Sequence, residues 1–84
     1  MPKIGLVAGV RIVIWPNDHE PAHIHCFHAD EECKLVITTG DVLDGRLQRA
    51  KLVAVSAWLD RNRLQVAYAW NEVTTGRGFK GIIE

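Results

Sequence analysis

Between Val10 and Thr38 the chain favours extended, alternating segments, and beyond Arg46 a helical period takes over. Val10–Trp15 (VRIVIW) is β-branched and aromatic, the composition of a strand. His23–His28 (HIHCFH) and Cys33–Thr38 (CKLVIT) alternate polar with apolar residues, as half-buried strands do. Ala29-Asp30 lies between them and reads as a two-residue hairpin loop. That turn pairs His28 with Glu31, Phe27 with Glu32, Cys26 with Cys33, His25 with Lys34 and Ile24 with Leu35. Side chains alternate between sheet faces, so Ile24, Cys26, Cys33, Leu35 and Ile37 form the core side. His23, His25 and Phe27 leave the other side, beside Glu32, Lys34 and Val36. Gly40–Gly45 is turn-rich and holds a short fourth strand around Val42-Leu43.

Leu52, Val55, Ser56 and Leu59 share one face of a helix over about 48–61, with Trp58 at its edge. Asn62 serves as stop and start. A second helix over about 64–74 places Val66, Ala69, Trp70 and Val73 on one side, while Leu64, Ala67 and Tyr68 make its other side fairly apolar too. Such a helix either has both sides covered within the chain or offers one to a partner or to a second copy, giving a homo-oligomer. Gly76, Gly78 and Gly81 predict a flexible tail. The sum is a single α+β domain over 1–84, with a three- or four-stranded antiparallel sheet over about 10–43 packed against two C-terminal helices.

With 84 residues the chain has room for one compact core. Its formal net charge is zero, which argues against binding nucleic acid by bulk charge alone. The charges are nonetheless divided: residues 1–45 hold three basic and seven acidic side chains, and residues 46–84 hold the reverse. The simplest account is that the halves attract each other. The alternative makes Arg49, Lys51, Arg61 and Arg63 a contact surface for RNA or for an acidic partner. Ile4–Val10 is apolar but ends at Arg11, too short for a membrane span and poor as a signal peptide. With Cys26 and Cys33 as the only cysteines, the expected compartment is the reducing cytoplasm, without membrane association.

The chemistry concentrates in Asp18-His19-Glu20-Pro21-Ala22-His23-Ile24-His25, since all four histidines lie between His19 and His28. On a strand, residues i and i+2 leave the same face with Cα atoms about 6.5–7 Å apart, near enough for two imidazoles to share an ion. His19, His23 and His25 are thus the candidate metal ligands, with Asp18 or Glu32 as alternatives for the third place. Two imidazoles and a carboxylate suit zinc or another divalent transition metal. The same residues, Asp18, His19, His23 and His25, are the catalytic candidates if the imidazoles act instead as a metal-free general acid and base with Asp18 orienting one ring. The blander account is that the histidines stabilise the loop through backbone contacts.

Other schemes find less support. Ser56 lies on a core-facing helix side with no strand-turn-helix elbow, Cys26 faces the interior, and no glycine-rich phosphate loop is present.

The same segment carries a resemblance. Trp15, then Asp18-His19-Glu20-Pro21-Ala22-His23-Ile24-His25, then Gly40-Asp41-Val42-Leu43-Asp44-Gly45-Arg46-Leu47, Trp58, Leu64 and Trp70 resemble the pattern of domain of unknown function 4160, a family of small bacterial proteins. The likeness runs from about Val10 to Val73. It departs at Ala29-Asp30, where relatives often carry glycine, at Gln48, where proline is common, and at Arg63, where a carboxylate is common. The resemblance implies a binding module of a two-gene, toxin–antitoxin-like system whose partner is the product of a neighbouring small gene. On that view the basic helices meet RNA or the partner, and the histidine segment is the working site.

Overall fold

The computed structural model of the chain describes residues 3–84. Its strands are β1 (Lys3–Val7), β2 (Val10–Val13), β3 (His23–His28), β4 (Glu31–Val36) and β5 (Val42–Gly45), followed by helices α1 (Arg49–Arg61) and α2 (Arg63–Thr74). The strands form one antiparallel sheet in the order β1-β2-β3-β4-β5, so each pairs with its neighbour in sequence. The α+β class and the two C-terminal helices are as expected. The strand number is not: the sheet has five strands rather than three or four, and it begins at Lys3 rather than near residue 10. The missed hairpin turns at Ala8-Gly9, where both residues take positive φ (51° and 83°), the conformation a tight two-residue turn needs. Alanine adopts it rarely, and inside an apolar run it hid the break between two strands.

The β3–β4 register matches the sequence pattern pair for pair, from His28 opposite Glu31 to Ile24 opposite Leu35. Ala29 carries the turn with φ 53°. Period-two alternation then sorts the sheet into two faces. Ile12, Ile24, Cys26, Leu35 and Ile37 are buried against Val55, Leu59, Val66, Ala69 and Val73 of the two helices. Trp58, placed by its spacing at the edge of α1, is instead central: it is 2% exposed. Its ring lies against Gly5 of β1, where an added Cβ would come within 2.9 Å of the indole. β5 crosses β4 closely at Gly45, whose φ is 79° and whose hydrogen faces the Glu32 carbonyl; any side chain there would collide with that backbone.

The glycine-punctuated tail is docked, not free. Ile83 N–H donates to the Ile4 carbonyl at 2.7 Å, and the Trp58 Nε1–H donates to the Ile83 carbonyl at 3.2 Å. The tail thereby covers part of the open edge of β1, satisfying backbone groups that an edge strand leaves bare. No helix among the described residues is long and apolar enough to cross a membrane.

Candidate functional site

β2 ends at Val13, and the chain leaves the sheet through Ile14 and Trp15 to pass over the face that carries His25. A reciprocal turn fixes this crossing. Asp18 N–H donates to the Trp15 carbonyl at 3.1 Å, and Trp15 N–H donates to Asp18 Oδ2 at 3.0 Å. Aspartate suits this place because its short carboxylate reaches back to nearby backbone donors. The turn holds the Asp18 carboxylate over β3. Beyond it, the Glu20–Pro21 peptide is cis, and Ile37 N–H donates to the Ala22 carbonyl at 3.0 Å, fastening the end of the crossing beside β4.

Beneath this cover lie His23 and His25, both on the sheet face opposite Ile24 and Cys26 and only 7% and 6% exposed. Their ring centroids are 5.0 Å apart. His23 Nδ1 lies 2.8 Å from the Pro21 carbonyl oxygen. A carbonyl only accepts, so Nδ1 carries the hydrogen, and in the neutral ring Nε2 keeps its lone pair. That bare Nε2 points at Asp18 Oδ2, 3.7 Å away, and His25 Nε2 points at the same oxygen from 3.1 Å. The three ligand atoms all lie within 4.8 Å of one another. A tetrahedral ion with bonds of ~2.0–2.2 Å separates its ligands by about 3.3–3.6 Å, and the two distances to the carboxylate lie on either side of that range.

Aromatic rings wall the group. Trp15 meets His25 edge-on at 6.3 Å, Phe27 lies parallel to it at 6.2 Å, and Trp70 of α2 reaches His23 at 5.4 Å. Apolar walls exclude water and strengthen charge interactions inside them.

Of the histidines proposed as ligands from the pattern, the structure brings His23 and His25 together and leaves His19 exposed and outside the group. Asp18 takes the third place, because the turn at Trp15 aims residue 18 inward while residue 19 follows it out into solvent. The Pro21 carbonyl, Trp15 and Trp70 were not expected at the site from the sequence. Both tryptophans carried a signal as positions of the family pattern, Trp15 as the aromatic residue ending a strand beside the acidic loop and Trp70 as one of four apolar positions on a helix face.

The basic candidates do not gather. Arg49 and Lys51 stand near the start of α1 and Arg61 at its end, about 18 Å along a helix of thirteen residues, and Arg63 opens α2. Lys51 Nζ donates to the Ala8 carbonyl at 2.7 Å, and Arg63 donates through Nε to the Ile37 carbonyl at 2.8 Å while pairing with Asp60 at 2.9 Å. Arg49 and Arg61 are exposed. Cys26 and Cys33 are free and buried. Burial, followed by the neighbouring Cys33, pushes the Cys26 thiol up to about 12, and burial followed by Asp44 raises that of Cys33. Neither supplies a thiolate near neutral pH.

The chain is thus a small α+β protein carrying a covered two-histidine, one-carboxylate cluster on the sheet face opposite Ile24 and Cys26. It belongs to the family described as domain of unknown function (DUF4160), whose model matches residues 9–71. No curated protein and no solved structure matches it.

Proposed function

We propose that this protein binds a divalent transition metal, zinc before others, through Asp18 Oδ2, His23 Nε2 and His25 Nε2. One observation supports the reading above the rest. Pro21 accepts from Nδ1 of His23, so that in the neutral ring Nε2 is the bare nitrogen, aimed at the carboxylate that His25 also faces. Orienting a ring through its other nitrogen is how proteins prepare a histidine for a metal. The donor set, two imidazoles and a carboxylate without thiolate, suits zinc or iron. Bound there, the ion would leave a further coordination position for water and would fasten the 15–22 crossing to β3. The test is zinc titration by calorimetry on metal-stripped protein. One ion per chain is expected, with binding lost in His23→Ala/His25→Ala and retained in His19→Ala. Wild-type protein that takes up no zinc overturns the reading.

A second reading rests on α2. Leu64 is 88% and Tyr68 58% exposed, and with Phe79 and Ile82 they line an open groove of about 500 Å³. The two charged residues of α2 are already engaged, Arg63 with Asp60 and Glu72 with Arg77. Its outward residues Leu64, Gln65 and Tyr68 are neutral, and a second copy can lie against them across a two-fold axis, with Glu84 the one charged side chain among the described residues lining the groove. This supports the oligomeric reading more directly than an RNA contact, since two of the four cations proposed for RNA are spent on backbone carbonyls. The two-gene, toxin–antitoxin-like role draws on the family resemblance, and the product of a neighbouring gene is the competing occupant of the same groove. Light scattering is expected to give a dimer mass, reduced to that of a monomer by Leu64→Asp. A monomer mass for the wild type, together with a complex formed on co-expression of the neighbouring gene, would assign the surface to that partner.

A further inference from the structure

His25 has one nitrogen accounted for and one not. Nε2 faces Asp18, whereas Nδ1 is buried and is the one buried side-chain nitrogen or oxygen among the described residues without a hydrogen-bond partner. The direction of Nδ1 follows from the other side of the ring, where Nε2 is held by Asp18 Oδ1 and Oδ2 at 3.3 and 3.1 Å, and the ring runs parallel to that of Phe27 within 7°. What lies in that direction is Glu32, with Oε2 3.6 Å from Nδ1. The sheet puts it there. Phe27 pairs with Glu32 and His25 pairs with Lys34, so Glu32 is the diagonal neighbour of His25 on the same face. Lys34, directly opposite His25, turns its ammonium group toward Asp44 instead.

The neighbouring acid shows that this placement is not shared by every carboxylate on the strand. Glu31 is committed elsewhere: it accepts from Gln48 N–H at 2.7 Å, at the start of α1, and pairs with Arg46 at 3.2 Å. The Glu32 carboxylate is half exposed and makes no closer contact than the one to His25. Its backbone, by contrast, is pinned, since the Glu32 carbonyl accepts from Arg46 N–H at 3.0 Å. A fixed main chain with an uncommitted carboxylate beside a buried ring nitrogen needs only a small side-chain rotation to reach hydrogen-bond distance.

We infer that Glu32 is the positioning residue of the metal site, accepting a hydrogen bond from His25 Nδ1–H when His25 Nε2 holds the ion. The inference rests on the metal reading above. An imidazole that gives its Nε2 lone pair to a metal carries its proton on Nδ1, and that proton needs an acceptor in a buried site. Pro21 plays this part for His23, and Glu32 plays it for His25. Glu32 also balances charge: with Asp18 it supplies two negative charges to one divalent cation, so the covered site is neutral when filled.

The experiment measures zinc affinity of metal-stripped protein by chelator competition for the wild type, Glu32→Ala, Glu32→Gln and Glu31→Gln. The cobalt(II) visible spectrum and the imidazole ¹⁵N–¹H signals of the zinc form are recorded alongside. Glu32→Ala is expected to bind zinc roughly 10–100-fold more weakly, the usual cost of removing such a partner. It should also shift the cobalt bands and lose the protected His25 Nδ1–H signal. Glu32→Gln, which keeps an accepting oxygen, should recover much of the affinity and the signal, and Glu31→Gln should bind as the wild type does. Glu32→Ala within twofold of a zinc-binding wild type overturns the role of Glu32 and leaves the metal site standing. Equal weakening in Glu31→Gln, or no recovery in Glu32→Gln, also overturns it, because the effect would then be general charge. A wild type that binds no zinc removes both readings.

Discussion

Trp58→Ala is expected to lower the unfolding free energy by about 3–5 kcal/mol, the cost of truncating a large buried aromatic. Three separate pieces of the fold meet at this side chain: Gly5 of β1 under its ring, the α1 face that carries it, and Ile83 of the tail on its indole nitrogen. Small domains hold roughly 0.05–0.15 kcal/mol per residue, so such a loss takes a large part of what keeps this chain folded. The loss also frees the tail. Urea unfolding should show a much lower midpoint, and hydrogen exchange of the Ile83 amide should speed up under native conditions. A destabilisation below about 1.5 kcal/mol, the range of volume-conserving core changes, would show that Trp58 is not the joint described here.

Zinc at a hundred times its dissociation constant should stabilise the wild type by about 2.7 kcal/mol, provided the unfolded chain binds it poorly. In a domain of this length that corresponds to a rise in melting temperature of roughly 10–20 °C. Asp18→Asn is the informative variant. Asparagine retains an oxygen to accept the Trp15 N–H, so the turn survives, but the carboxylate that both Nε2 atoms face is gone. Calorimetric scans with and without zinc should show the melting shift falling to a few degrees in Asp18→Asn, while the metal-free melting point moves far less. An undiminished shift in the variant would place the ion elsewhere on the chain.

The residues that could be read in advance were those whose neighbours are set by a short period. Alternation from His23 to Ile37, with a two-residue loop, was enough to give the β3–β4 register and the burial of Ile24, Cys26, Cys33 and Leu35. Spacing of three and four likewise placed Val66, Ala69, Trp70 and Val73 inward and Leu64 and Tyr68 outward. The pattern failed where a turn used unusual chemistry, as at Ala8-Gly9, and where burial depended on distant segments, as with Trp58 and the tail. Glycines at 76, 78 and 81 indicate freedom of the backbone, but they do not show that Ile83 finds Ile4 and Trp58 at the far edge of the sheet.

The candidate site divides in the same way. The amino-acid order alone put two imidazoles on one side of a strand, because alternate side chains of an extended chain must share a face. It also supplied an acidic, proline-flanked crossing beside them. Which member of that crossing turns inward was decided only when the chain folded over the sheet, since the choice between Asp18 and His19 depends on a turn closed through Trp15 rather than on any period. The covering of both rings by Trp15 and Trp70, and the placing of Glu32 against His25 Nδ1, were likewise settled by strand pairing and helix packing, which join residues far apart in the sequence.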